Sequence, residues 1–166
     1  MEQRRFQQLM EDFCDFAGLP KSPLTAPRLS ARIGSDAIHI ENVEGADSIL
    51  IWTIAATIDA AQTDGAIVRA ALELNLLLAF DGIGAVALDR YEGRLIFARI
   101  VDADRLTGSR LDQRLAEFVA GLAFVRTRLA APPAAGRAPS SGSIGERRPV
   151  PTEAETLLAG RVLIYR

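Results

Sequence analysis

Residues 67–80 read IVRAALELNLLLAF, and the fold follows from how that stretch can be covered. It is rich in strong helix formers and holds no Gly or Pro. Wound as a helix at about 100° per residue, it puts Ile67, Ala71, Leu74 and Leu78 on one side. Val68, Leu72, Leu76 and Ala79 fall on another, and Leu77 and Phe80 fill more of the circumference. Arg69 and Glu73 leave only a narrow polar strip. A helix that is apolar nearly all round must be covered on more than one face. One face can go against the chain's own sheet; the simplest cover for the other is an identical subunit. The predicted dimer interface is therefore Val68, Leu72, Asn75, Leu76 and Ala79, with Ile67, Leu74 and Leu78 on the sheet, and the reverse assignment stays open. Asn75 reads two ways, as a hydrogen-bonded core residue or as a polar register-setter between helices.

Working toward the N-terminus, residues 48–58 (SILIWTIAATI) are apolar on both alternating sets, which predicts a strand covered at least in part on both faces. That places Trp52 in the core. Residues 37–43 alternate Ile38 and Ile40 against His39 and Glu41, as a strand with one wet face does. Residues 44–47 suit a hairpin loop, and residues 28–33 make a weaker strand. A Pro- and Ser-containing loop, 21–27, precedes them. Residues 2–17 form an amphipathic helix in which Phe6, Leu9, Met10, Phe13 and Phe16 recur at three- and four-residue steps. Gly18 and Pro20 end it. Core packing accounts for most of that stripe, and its excess can wall a groove.

Toward the C-terminus, strands at 85–88 and 94–101 flank a turn at 89–93. Residues 110–130 then form a helix with Leu111, Leu115, Phe118, Leu122, Val125 and Leu129 in 4-3-4-3-4 spacing. Ser109 with Asp112 resembles a capping box. The elements run α-β-β-β-α-β-β-α, an α+β fold with an antiparallel sheet of about five strands in a domain spanning 1–130. A Pro/Ala/Gly/Ser-rich linker composition follows over 131–151. The segment 152–166 is patterned: a capping-box form opens it, and RVLIYR at 161–166 has strand character. Val162, Leu163, Ile164 and Tyr165 either dock on a sheet edge and compete with a bound partner, or stay mobile until another partner orders them.

Composition narrows function by exclusion. Residues 1–130 carry 14 Lys/Arg against 18 Asp/Glu, so the body lacks the basic face of a nucleic-acid binder. A lone cysteine, Cys14, rules out an intramolecular disulfide, and with no signal peptide or membrane span in view the expected compartment is the cytoplasm. Cys14 lies at the edge of the first helix's stripe with no basic cluster nearby, which makes it a small hydrophobe. His39 is the only histidine and has no metal-ligand partner, so it reads as a solvent-facing strand residue. The Gly82-Ile83-Gly84 run follows a helix, the reverse of a dinucleotide-binding order. No triad, phosphate loop or metal spacing appears, so the reading is non-enzymatic, with no cofactor and no metal.

The stretch ALELNLLLAFDGIGAVALDRYEGRLIFARIV at 71–101, set in this element order, resembles the class I type III secretion chaperones, the Tir chaperone family. The matching residues are Leu72, Asn75, Leu76, Leu77, Leu78, Gly82, Gly84, Ala87, Leu88, Asp89, Gly93, Leu95 and Phe97, and the likeness spans about 2–130. It implies a bacterial cytosolic homodimer that binds the N-terminal segment of a secreted effector, without ATP, and keeps it export-competent. Implied partners are a second copy, the effector and the secretion-system ATPase, with no nucleic acid. The predicted effector-binding residues are Phe6, Leu9, Met10, Phe13, Ile96 and Phe97, acting by apolar burial and strand addition to a sheet edge. Near-neutral charge and the 36 residues after 130 depart from the family pattern. A same-fold interaction or regulatory module not dedicated to secretion is the alternative.

Overall fold

The computed structural model describes residues 1–20, 27–58, 65–130 and 163–165. Helix α1 (Gln3–Phe16) is followed by strands β1 (Arg28–Ile33), β2 (Asp36–Asn42) and β3 (Ser48–Thr57). Helix α2 (Gly65–Asp81), the hairpin β4 (Ala85–Asp89) and β5 (Arg94–Asp102), helix α3 (Gly108–Ala130) and a short β6 (Leu163–Tyr165) complete it. The strands form one antiparallel sheet in the order β4-β5-β3-β2-β1-β6. The expected α-β-β-β-α-β-β-α order holds, and β6 adds a sixth strand to the five expected. Residues 21–26 of the expected loop 21–27, residues 59–64, the linker 131–151, and residues 152–162 and 166 of the C-terminal segment lie outside the described residues.

Period-two burial gives the sheet an inner face. Ile38, Ile40, Ile49, Ile51, Leu95 and Phe97 are all at or below 1% exposure and share one core with the apolar stripes of the three helices. Each such side chain contributes roughly 1.5–3 kcal/mol by leaving water. Phe97 stacks on Phe118 of α3, centroids 4.8 Å apart. A bulge between Ile54 and Ala56 breaks the β3–β5 register, and beside it Arg126 of α3 donates to the carbonyls of Ile54 and Ala55 and to the Asp36 carboxylate. A guanidinium thus satisfies backbone groups where the ladder is irregular.

Local chemistry sets the helix ends. Gly18 takes a positive φ of 65°, Leu19 N–H donates to Cys14 C=O at 2.8 Å, and Gly18 N–H donates to Asp15 C=O, the paired bonds that close a helix on a left-handed glycine. The start of α3 corrects the sequence reading. The cap is Thr107, whose Oγ1 accepts the Arg110 N–H at 3.3 Å, and Ser109 lies inside the first turn. Next to Thr107, a Cβ on Gly108 would stand 2.5 Å from the Asp12 carbonyl oxygen, so glycine is what lets α3 approach the backbone of α1 there.

Candidate interaction surfaces

Helix α2 divides as its winding predicts. Ala70, Ala71, Leu74 and Leu78 are buried, while Leu72 and Leu76 are 66% and 62% exposed and Phe80 is 80% exposed. Leu72, Leu76 and Phe80 are four residues apart and so lie along one face, with Ala79 exposed beside them. Leu77 adds further apolar surface, and Val68 is half-buried. A contiguous exposed apolar row of this kind is the usual mark of an interaction site.

Asn75 has a different occupation from the register-setting role considered for it. Its Nδ2 donates to the Val86 carbonyl at 2.9 Å, and its Oδ1 accepts the Val86 N–H at 2.6 Å. The side-chain amide therefore pairs with β4 as another strand would, and satisfies both backbone groups of a residue on the sheet's edge. The bland alternative, a hydrogen-bonded structural residue, is the one observed.

The outer face of the sheet carries a second apolar area. Leu50, Trp52 and Ile54 of β3 and Ile96 and Ala98 of β5 are half-buried, and Ile100 is 67% exposed. Trp52 is thus not in the core. It lies 4.2 Å from the His39 ring, with Arg28 5.8 Å from its own ring. The apolar character of both alternating sets of β3 is real, but only Ile49, Ile51, Thr53 and Ala55 are buried beneath the helices. His39 is held across strands by a 2.8 Å contact between its Nδ1 and Ser30 Oγ. Burial, then the charge of Arg28, lowers its pKa from 6.5, with Glu41 opposing.

The six residues expected to hold an effector separate into two groups. Phe6, Leu9, Met10 and Phe13 line the buried face of α1, and Phe97 is fully buried on β5. These five are core: α1 packs against α3 with Phe6, Leu9, Met10 and Phe13 inside the subunit, and of the α1 stripe only Phe16, 59% exposed, stays outside. Ile96, in the opposite register of β5, is the one left on a surface. The sequence reading does not single out Ile100, Leu50 or Ile54. Their signal is the apolar residue in the second alternating set of β3 and β5.

A cleft of about 420 Å³ between β5, the following turn and α3 is lined by Arg99, Asp102, Asp104, Arg105, Arg110 and Arg114 among others. Its cations are largely matched: Arg99 and Arg114 both donate to Glu117 Oε2 at 2.9 Å, and Arg105 pairs with Asp104. Burial opposes ionisation of Glu117, but the hydrogen bonds and charges of Arg114 and Arg99 outweigh it and hold the carboxyl below its usual value. Among the described residues, no group of three or more His, Cys, Asp or Glu side chains could hold a metal ion. None of the described helices is long and apolar enough to cross a membrane.

Comparison with known proteins agrees with this architecture. The sequence model of the Tir chaperone protein (CesT) family matches residues 8–126. No curated protein sequence matches the chain. Among solved structures, a chain of the ExsC–ExsE complex superposes with a TM-score of 0.61 at 15% identity, covering 81% of this chain and 98% of that one. A chain of the HopA1–SchA chaperone–effector complex gives 0.60 at 12% identity, covering 75% and 95%. The Yersinia pestis type III secretion chaperone SycH, in complex with a fragment of YscM2, gives 0.55 at 17% identity, covering 72% and 98%. At such identities the superpositions show a shared fold.

Proposed function

Because the chain belongs to the Tir chaperone protein (CesT) family, we propose that it is a non-enzymatic, ATP-independent cytoplasmic chaperone for a type III secreted effector. It works as a homodimer, holds the effector's N-terminal segment export-competent, and hands it on at the secretion-system ATPase. The family match over 8–126 is the observation that carries this reading. Residues 1–130 are the functional domain, with 131–151 a linker and 152–166 an appendage.

The exposed apolar surfaces supply the physics. The outward row of α2 (Leu72, Leu76, Ala79, with Phe80) joins the two copies, and an obligate interface of that kind buries upwards of roughly 2,000 Å². The effector contacts the outer face of the sheet, with Ile96, Leu50, Trp52 and Ile100 as apolar contacts. Phe6, Leu9, Met10, Phe13 and Phe97 support that surface from beneath. Extended-strand pairing supplies affinity that tolerates many sequences, while side-chain contacts select among them. No chemical step is needed, since the work is burial and release.

The test is co-purification from the native bacterium, with the recovered partner mapped by limited proteolysis. The expected result is one secreted protein at fixed stoichiometry, its protected region at the N-terminus. Recovery only with a protein that is not secreted would refute the chaperone reading in favour of a regulatory module of the same fold.

A further inference from the structure

The two edges of the sheet are closed in different ways. At β4 the Asn75 amide pairs with Val86. At the other end β1 is paired by β6, with Ser30 opposite Tyr165, Ala31 opposite Ile164 and Arg32 opposite Leu163. We infer that the outer edge of β1 is a strand-acceptor site held by the chain's own C-terminal residues 163–165, so that an extended apolar peptide gains that edge only by displacing them.

An unpaired edge strand presents a row of backbone donors and acceptors to any passing extended chain, and proteins cover such rows. Here the cover is small. β6 has three residues against the six of β1, and ordinary strands run to about five or six. Its sequence suits the place, since Leu163, Ile164 and Tyr165 favour strands and Ile164 stands opposite Ala31, which is 2% exposed. Covalent attachment through the 32 residues between Ala130 and Leu163 gives a local concentration on the order of millimolar, enough for a short strand to occupy its site. A free peptide that makes only the same three pairs cannot compete with it. A segment that runs along all of β1, or adds side-chain contacts on the neighbouring face, can. The proposal rests on the strand-addition part of the function proposed above only for the identity of the displacing segment.

The test uses the full chain carrying Tyr165→Pro, which removes the backbone donor facing Ser30 in the β1–β6 ladder, with Tyr165→Phe as the conservative control. Two readings are taken: hydrogen exchange of the amides of 28–33, and binding of a fluorescein-labelled peptide of residues 152–166. In the proline variant some of these amides should exchange about tenfold faster or more. The peptide should bind that variant at micromolar concentration but neither the wild type nor Tyr165→Phe. Unchanged exchange, or a peptide that binds all three chains alike or none, overturns the inference. Neither reading requires an effector, so failure here and failure of the chaperone reading are distinguishable.

Discussion

Helices α1 and α2 use their apolar residues in opposite ways. In α1 the large apolar residues lie in one stripe, and Phe6, Leu9, Met10, Phe13 and Cys14 are all buried against the rest of the subunit. In α2 they surround the axis, so burying Leu74 and Leu78 leaves Leu72, Leu76 and Phe80 outside. The lesson is that the angular spread of apolar residues tells how much of a helix its own subunit can cover.

The comparison can be broken first on the α1 side. Phe13→Ala should lower the unfolding free energy by about 3–5 kcal/mol, because the site is sealed and a cavity remains. Urea titration should show that loss at every protein concentration, whereas a loss that shrinks as the protein is concentrated would put Phe13 in an interface. Smaller is the effect of Gly108→Ala, where the new methyl meets the Asp12 backbone rather than a flexible side chain. About 1–3 kcal/mol is expected from overpacking between α1 and α3, read by the same titration.

On the α2 side, Asn75→Leu keeps the branching at Cγ but deprives the Val86 N–H and C=O of their partner. The buried groups left unpaired should cost about 1–3 kcal/mol, accompanied by faster exchange of the Val86 amide. Exchange equal to wild type would show that β4 has another partner at its edge.

The smallest effect is at His39. Its folded pKa lies below 6.5, so between that value and the folded one the unfolded chain binds more protons. Stability is then lost as pH falls through that window. Wild type should lose more stability than His39→Gln between about pH 7.5 and about pH 5.5, and equal losses would remove His39 from the account.

Much of this architecture was legible in residue order because alternation and helical spacing report burial directly. The alternation of β2 and the division of α2 into Leu74/Leu78 and Leu72/Leu76 sides follow from period alone. Other features depend on tertiary proximity. Trp52 sits in a strand apolar on both sets, and such a strand carries no signal for which side meets the helices. The Asn75–Val86 pairing joins residues eleven apart that only the turn after α2 brings together. The close approach of Gly108 to the Asp12 backbone joins residues that only the packing of α1 on α3 brings together. A stripe does not name its cover, and in α1 Phe6, Leu9, Met10 and Phe13 are buried within the subunit while Phe16 stays exposed.

The claim on which the account turns is that the outward face of α2 belongs to a second copy. Multi-angle light scattering on the full chain at micromolar concentration tests it most directly, with Leu76→Asp beside the wild type. The account predicts twice the 17.9 kDa of one chain for the wild type and a single chain for the variant. A wild type that elutes as a 17.9 kDa monomer would contradict it.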